Sequence, residues 1–266
     1  HNLTCILHEK PFSGVNGSGK HNNWSMATDT GMNLLEPGNT PWKNKQFLLF
    51  LVAFIKAVDE YQDLIRVTTA SASNDHRLGA SEAPPAIISI FLGEELTEML
   101  ESFGNSKYKA KDREDMEFGV HYLAKLTKDL TDRNRTSPLA FTGNKFEFRM
   151  VGSSLSISGP NIILNTVVAE ALSQFADILE KSSNFEKDLE ELIKDTFNKH
   201  KRIIYNGNNY SDEWVKEAEK RGLYNLKSTP EVLPYFISKK NIELLTKHKV
   251  FAETEINSRY EIVMEE

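Results

Sequence analysis

The sequence has 266 residues and a formal net charge of −6 at pH 7. This mild acidity argues against a general nucleic-acid binder, which needs an excess of Lys and Arg for phosphate contacts. Cys5 is the only cysteine, which excludes an intrachain disulfide and a thiolate metal cluster. No secretory signal is visible, and the longest apolar run, from Phe47 to Ile55, is too short to cross a bilayer. We therefore expect a cytoplasmic protein that binds neither nucleic acid nor membrane.

The first third of the chain predicts two strands around a glycine-rich loop, followed by two helices. Residues 3–9 are rich in apolar and β-branched side chains, and residues 21–29 alternate polar with apolar ones, so each segment is expected to be a strand. Residues 10–19 form the loop between them. Apolar residues at helical spacing predict a largely buried helix over 44–61, and a shorter helix is expected from 62 to about 70.

The middle of the chain predicts short elements separated by polar segments. Residues 72–85 contain a single long apolar side chain and are expected to form a loop. An apolar strand over 86–92 and a short helix over 93–103 are expected to follow. Residues 120–130 are ambiguous between helix and strand, whereas residues 145–151 alternate well and predict a strand.

The remainder of the chain is predicted to be mostly helical. Residues 160–179 predict a long helix with an apolar face, and residues 184–201, rich in Glu, Lys and Leu, predict an amphipathic one. Ser211 with the acidic residues after it is typical of a helix N-terminus. Two short helices are expected at 230–238 and 241–248. This part of the chain has no dense cluster of chemical groups and is expected to serve packing or assembly.

A glycine-rich motif runs from Gly14 to His21 and reads Gly-Val-Asn-Gly-Ser-Gly-Lys-His. It nearly matches a phosphate-binding P-loop, with His21 in the position where Ser or Thr would bind magnesium. A P-loop needs a helix to begin directly after it, so that the N-terminal amides of the helix face the phosphates. The residues that follow, Asn22 to Ser25, favour a strand, which argues against a P-loop. A glycine-rich hairpin without chemistry remains open at this point.

A second motif runs from Arg77 through Glu82 and ends in Ala-Pro-Pro. The two prolines restrict the backbone at one end of this segment, so a loop could present the arginine and the glutamate together to a ligand. The alternative is a solvated surface loop without a ligand.

A third motif combines Arg133 and Arg135 with Lys145, Glu147 and Arg149. Residues two apart in a strand share a face, so the last three are expected to point one way and the intervening phenylalanines the other. A carboxylate is a ligand for hard cations, and cations neutralise phosphoryl charge. The motif therefore suits a site for metal and phosphate, and the alternative is a solvated sheet face with paired charges.

The order of these motifs resembles that of the glutamine synthetase family. The family's central loop, commonly Asn-Gly-x-Gly-x-His, is similar to residues 16–21, and its flap, an arginine followed by Glu-Ala-Pro, resembles residues 77–84. An Arg-rich segment before Arg-x-Glu-x-Arg resembles residues 133–149. Two segments are similar to the type III branch of the family. They are residues 8–12, His-Glu-Lys-Pro-Phe, and residues 233–238, Leu-Pro-Tyr-Phe-Ile-Ser. The resemblance covers nearly the whole chain.

This resemblance implies an α+β fold in which a curved antiparallel sheet is backed by helices. Residues 1–182 would be the C-terminal portion of a catalytic domain, and residues 183–266 a helical C-terminal region. The implied activity is that of an ATP-dependent ligase that forms L-glutamine from L-glutamate and ammonia through γ-glutamyl phosphate, with Mg²⁺ or Mn²⁺ as cofactor. The expected partners are ATP, glutamate and ammonia, and the full-length protein is expected to be a homo-oligomer of stacked rings.

The resemblance also implies roles for the residues at matching positions. The metal ligands would be His21 and Glu147. The glutamate contacts would be Asn16, Gly17, Arg77 and Arg149. The ATP contacts would be Asn23, Ser25, Arg133, Arg135 and Lys145. The catalytic residues would be Arg77, Arg133 and Glu82, the last as a flap carboxylate that helps to deprotonate ammonium.

The chain departs from the family pattern at several positions. Lys145 stands where the family usually has Arg, which keeps the charge but loses the fork geometry, and Asn23 replaces a second His. The family's remaining metal-binding carboxylates and its N-terminal domain have no match here, so we expect the chain alone to be catalytically inactive. The competing hypotheses are a ligase that joins glutamate to another amine, a non-catalytic homologue, and an unrelated helix-rich α+β domain.

Overall fold

The computed structural model describes residues 8–81, 83–103 and 136–265. Some sequence predictions therefore lie outside the described residues. These are the strand over 3–9, of which only residues 8 and 9 are described, the segment 120–130, and the site residues Glu82, Arg133 and Arg135.

The described residues contain four strands and ten α-helices. The strands are β1 (Gly19–Trp24), β2 (Ile90–Phe91), β3 (Leu139–Phe141) and β4 (Phe146–Gly152). The helices of the first part are α1 (Lys45–Glu60), α2 (Gln62–Val67), α3 (Ala72–Arg77), α4 (Glu94–Ser102) and α5 (Ser158–Leu179). The later helices are α6 (Phe185–His200), α7 (Asp212–Lys220), α8 (Thr229–Phe236), α9 (Lys239–Lys247) and α10 (Glu253–Glu265).

The strands form one sheet in the order β1-β4-β3-β2. β4 pairs antiparallel with both β1 and β3, whereas β2 pairs parallel with β3. The α+β fold class is confirmed, but the prediction of a wholly antiparallel sheet is wrong at β2. A parallel pair needs a crossover connection rather than a hairpin, and the chain between Phe91 and Leu139 is long enough to provide one.

Helix α1 lies at the centre of the hydrophobic core, because nearly every side chain from Phe47 to Val58 is apolar and buried. Asn44 caps the first turn by accepting a hydrogen bond from the Phe47 amide. Phe54 stacks on Phe146 of β4 with ring centroids 3.7 Å apart, which fixes the inner face of the sheet against α1. Glu147, which lies between the two phenylalanines of β4, is left on the outer face.

Helix α5 is the second long core helix and packs against α1. By length and composition alone it could cross a membrane. Its residues Ile163, Leu164 and Val167 are buried, however, and packing against α1 accounts for this apolar face.

Buried polar clusters join the C-terminal helices to the first part of the chain. Asp59 of α1 accepts a 2.7 Å hydrogen bond from Arg202 Nε, and its other oxygen lies 2.8 Å from Nδ1 of His200. Glu170 of α5 pairs with Lys247 of α9 at 2.7 Å. The division into two domains that the sequence suggests stays a prediction.

Three predicted elements differ from the observed ones. The strand predicted over 86–92 is observed only as β2, which consists of Ile90 and Phe91. The segment 72–85 begins with helix α3 rather than a loop, because the Ser71 side chain accepts a hydrogen bond from the amide three residues on and caps a first turn. The strand predicted over 21–29 is shorter at its C-terminal end, because Trp24 pairs with Phe146, the first residue of β4, and the partner strand extends no further.

Candidate functional site

The outer face of β1 carries polar side chains that the sequence had singled out. Asn22 and Trp24 are buried, whereas His21, Asn23 and Ser25 are exposed. The alternation of a strand therefore places the last three on one side of the sheet.

Strand β4 alternates in the same way. Phe146 and Phe148 are fully buried in the core, so Glu147 and Arg149 lie on the opposite face. Glu147 is directly opposite Asn23 in the antiparallel register. The two strands thus contribute to one polar surface.

A β-bulge accompanies the contact between His21 and Glu147. The register of β1 on β4 shifts between Lys20 and Asn22, so that two residues of β4 lie opposite His21. A bulge increases the local twist and changes the direction of side chains. The imidazole nitrogen Nδ1 of His21 lies 2.6 Å from Oε1 of Glu147.

Glu147 is contacted at both carboxylate oxygens. Oε1 faces His21, and Oε2 accepts a 2.7 Å hydrogen bond from Nη2 of Arg149. Burial raises the pKa of the Glu147 carboxyl, but the hydrogen bond and charge of Arg149, together with His21, outweigh burial and lower this pKa below its ordinary value. Glu147 is therefore ionised at neutral pH. The His21 side chain is 58% exposed, whereas the Glu147 and Arg149 side chains are 17% and 9% exposed, so the row opens to solvent at His21.

The donor set of His21 and Glu147 fits part of a divalent metal site. A carboxylate suits Mg²⁺ and Mn²⁺, and an imidazole is a ligand for transition metals. The two side chains are close enough to share one cation. Within residues 8–81, 83–103 and 136–265, no three His, Cys, Asp or Glu side chains are grouped as a metal site. These two residues would therefore need water or other protein groups to complete the shell.

The glycine-rich loop runs directly into β1, which begins at Gly19, so a strand and not a helix follows it. This arrangement excludes a P-loop, as the sequence predicted. The loop folds back on Glu9, whose carbonyl accepts a 2.7 Å hydrogen bond from the Ser18 amide. Asn16 is exposed and Gly17 is half-buried, so the two predicted glutamate contacts of this loop lie near its surface.

Arg77 lies beneath the same loop, at the end of α3, and is only 6% exposed. Its guanidinium donates to the Arg149 carbonyl at 2.9 Å and to Oδ1 of Asn74 at 3.1 Å. Burial lowers the pKa of Arg77, and the negative charge of Glu9 acts in the opposite direction. Arg77 therefore supports the site from below in this conformation, and its contact with glutamate stays a prediction.

Ser25 and Lys145 lie at the far end of the polar surface. The Ser25 hydroxyl contacts the Asn144 carbonyl at 2.8 Å and Oδ1 of Asn33 at 3.1 Å, which ties the chain after β1 to the turn before β4. Lys145 is exposed in that turn. Nucleotide contacts by these two residues and by Asn23 stay predictions.

Three predicted site residues, Glu82, Arg133 and Arg135, lie outside the described residues, and their roles stay predictions. Sequence reasoning missed Glu9, which is 1% exposed and hydrogen-bonded to two serines far along the chain. No local pattern marks such a residue, because its partners are distant in sequence.

Comparisons with known proteins give matches of two kinds. The family model described as the glutamine synthetase C-terminal domain matches residues 188–266. The chain is 52% identical over 269 residues to a type-3 glutamine synthetase of Dictyostelium discoideum, and 52% identical over 269 residues to a glutamine synthetase of Butyrivibrio fibrisolvens. It is 41% identical over 273 residues to a glutamine synthetase of Bacteroides fragilis. These alignments cover 100% of this chain but only 37% or 38% of each relative.

Proposed function

We propose that this chain, which is 52% identical over its whole length to a type-3 glutamine synthetase, belongs to the type-3 branch of that family and carries part of the active site of an ATP-dependent ligase that joins ammonia to L-glutamate. The chain spans little more than a third of the length of its curated relatives, so the activity is proposed for the full-length protein.

One observation supports the site above all others, namely the row of His21, Glu147 and Arg149 on the outer face of the sheet, which opens to solvent at His21. We propose that His21 and Glu147 hold Mg²⁺ or Mn²⁺. Arg149 keeps Glu147 ionised and adds a positive charge beside the place where phosphate would lie. When bound, the cation would neutralise charge on the phosphate oxygens of ATP.

The proposed reaction has two steps. The side-chain carboxylate of glutamate takes the γ-phosphoryl group of ATP, which leaves ADP and γ-glutamyl phosphate, and ammonia then displaces phosphate to give glutamine. Both steps crowd anionic oxygens together, so positive charge is needed around them. Lys145, Arg133 and Arg135 would supply further positive charge, and Asn23 and Ser25 would contact the nucleotide from the exposed side of β1.

The remaining roles concern glutamate and the protection of the intermediate. Asn16 and Gly17 on the glycine-rich loop, with Arg77 beneath it, would contact glutamate. An acyl phosphate is hydrolysed if water reaches it, so the site must exclude water while ammonia enters. Glu82 is proposed to act as the flap carboxylate that assists this step and helps to deprotonate ammonium.

We further propose that the chain alone does not form glutamine, and that the full-length protein is a cytoplasmic homo-oligomer of stacked rings. The metal site supports the first part of this proposal. Only two candidate ligands meet at the polar surface among the described residues, and a cation held by so few protein ligands would bind weakly.

The test uses the full-length protein that carries this sequence, supplied with ATP, glutamate, ammonia and Mg²⁺ or Mn²⁺. We expect glutamine formation by the wild type and a loss of about 100-fold in His21→Ala and in Glu147→Ala, because each change removes a proposed metal ligand. Mn²⁺ binding, measured by electron paramagnetic resonance of the free ion, should weaken in both variants. Glu186→Ala on the exposed side of α6 is the control and should change neither quantity.

If His21→Ala and Glu147→Ala both kept the activity and the Mn²⁺ affinity of the wild type, the proposed metal site would be contradicted. A wild type that binds Mn²⁺ but forms no glutamine from ammonia would contradict the proposed acceptor, and a screen of other amines would then identify the one that is used.

A further inference from the structure

A buried carboxylate outside the predicted site joins three segments that are distant in sequence. Glu9 is 1% exposed, and its Oε2 accepts a 2.6 Å hydrogen bond from the Ser73 hydroxyl near the start of α3. Its Oε1 accepts a 2.9 Å hydrogen bond from the Ser154 amide, just past β4. The Glu9 carbonyl accepts a hydrogen bond from Ser18 of the glycine-rich loop. One residue thus connects the loop, the helix that ends in Arg77, and the strand that bears Glu147.

Glu9 is ionised within this cluster. Burial raises the pKa of its carboxyl, but the hydrogen bonds from Ser154 and Ser73 outweigh burial, and the pKa lies below its ordinary value. A buried charge is costly unless it has hydrogen bonds and an opposite charge nearby. The negative charge of Glu9 raises the pKa of Arg77, against the effect of burial, so Arg77 is an opposite charge in the surroundings of Glu9.

Three glycines leave the space that this arrangement needs. A Cβ atom at Gly17 would lie 2.5 Å from the Glu9 carbonyl oxygen and 2.9 Å from Cγ of Arg77. A Cβ atom at Gly19 would overlap the Arg77 guanidinium, and one at Gly152 would overlap the Glu9 carboxylate. The loop and the end of β4 therefore lie directly against the two charged side chains.

Among the described residues, the hydrogen bonds of the Arg77 guanidinium go to uncharged acceptors. These are the side-chain oxygen of Asn74 and the carbonyls of Arg149, Met150 and Val151. Such acceptors fix the direction of the guanidinium but do not balance its charge, and Glu9 is the carboxylate whose negative charge raises the pKa of Arg77.

We propose that Glu9 is a positioning residue that holds the Arg77 guanidinium under the glycine-rich loop and thereby sets the affinity of the site for glutamate. This inference rests on the proposed function, because it takes Arg77 and the loop to bind glutamate. A residue that only stabilised the fold would change stability without selecting one substrate. Replacing a residue that positions Arg77 should instead raise the KM for glutamate more than the KM for ATP.

The test compares Glu9→Gln with wild type in the full-length protein. Glutamine keeps the size of the side chain and can still accept the Ser154 hydrogen bond, but it removes the charge that faces Arg77. We expect the KM for glutamate to rise roughly 10- to 100-fold, which is the usual effect of losing a group that orients a binding residue. The KM for ATP should stay near the wild-type value. Amide hydrogen exchange of residues 14–19 should become faster in the variant.

Glu170→Gln is the matched control, because Glu170 is also a buried and multiply hydrogen-bonded carboxylate but belongs to a different cluster. It should lower stability and leave the KM for glutamate unchanged. If Glu9→Gln does not fold, Ser73→Ala removes one hydrogen bond from the carboxylate, keeps its charge, and should still raise the KM for glutamate selectively.

An unchanged KM for glutamate in a folded Glu9 or Ser73 variant would overturn the inference, as would an equal rise in both KM values. A wild type that forms no glutamine would instead overturn the proposed function. In that case the exchange measurement still decides whether Glu9 holds the loop, because unchanged exchange of residues 14–19 would overturn the positioning role.

Discussion

Glu147 and Glu9 are both held as carboxylates, but by different means. Glu147 keeps 17% of its side chain exposed and is paired with Arg149 and His21, so a bound cation could take the place of one partner. Glu9 is enclosed by hydroxyl and amide donors and has almost no exposure. The first arrangement allows an exchange of partners during binding, and the second fixes a charge in one place.

Gly19 lies against the Arg77 guanidinium, and we predict that Gly19→Ala is destabilising. The new Cβ would overlap the guanidinium, which buried hydrogen bonds to Asn74 and Arg149 hold in place, and overpacking of this kind costs about 1–3 kcal/mol. Gly159→Ala is the matched control, because a Cβ there meets its nearest neighbour, Cβ of Thr68, at 3.9 Å, and alanine favours the helix that contains it. Urea unfolding of both variants measures the difference, and an equal midpoint for the two would contradict the close approach.

The residues of the site could be predicted where a local rule applies. Strand alternation alone predicted that Glu147 and Arg149 lie on the face of β4 opposite to the buried phenylalanines. The position of Arg77 beneath the glycine-rich loop and the role of Glu9 could not be predicted in this way. Both depend on contacts between segments that are distant along the chain, for example Gly19 with Arg77 and Glu9 with Ser73.

At the scale of the elements, the long helices have strong local signals and the short ones do not. The predicted helix over 44–61 matches α1 closely, because its apolar residues repeat at helical spacing and Asn44 caps it. Ser211 accepts a hydrogen bond from the Trp214 amide, which confirms the predicted N-cap of α7. The parallel pairing of β2 with β3 has no local signal, since it is decided by where a distant strand lies.

Helix α9 is attached to α5 by a cluster around Glu170, and we predict that this attachment depends on pH. Burial raises the pKa of Glu170, but hydrogen bonds from Lys247, Gln174 and His248 lower it from 4.5 to about 2. A carboxyl whose pKa is lower in the folded state stabilises the fold fully above its unfolded pKa. This stabilisation should therefore be present above about pH 4.5 and be lost as the pH falls towards about 2.

The free energy of unfolding of wild type and Glu170→Gln between pH 2 and pH 7 measures this contribution. The two proteins should differ by a constant amount at neutral pH and should converge as the pH falls, because the glutamine variant cannot titrate. A difference that stays constant down to the lowest pH would show that the charge of Glu170 is not what stabilises the contact.

At the scale of the whole molecule, one core extends from the sheet through α1 to the C-terminal helices. α1 packs against both α5 and α6, and Ile193 and Phe197 of α6 are buried in the same cluster as Phe54. The ion cluster of Asp59 with His200 and Arg202 lies at the same junction and is mostly buried. The polar surface that bears the proposed site therefore rests on a core to which the C-terminal helices contribute.

We predict from this shared core that the sheet and the C-terminal helices unfold together. Trp24 in β1 and Trp214 in α7 report on the two parts, since Trp24 packs on Phe54 and Trp214 stacks on Tyr205. Two variants are needed, and in each of them Trp42 and one of these two tryptophans are replaced by Phe. The fluorescence of the single remaining tryptophan then follows the unfolding of one part. Coincident urea transitions are expected, as for a cooperative two-state unit.

Asp59→Asn provides a second arm of the same experiment. It removes the charge between His200 and Arg202 at the junction and should destabilise both parts together, by about 1–3 kcal/mol for a weakened buried hydrogen bond to a charged group. Two separate transitions, with Trp214 unfolding at lower urea than Trp24, would contradict the shared core. They would instead support the division of the chain between residues 182 and 183 into units that fold independently, in which case loss of the C-terminal helices would leave the polar surface intact.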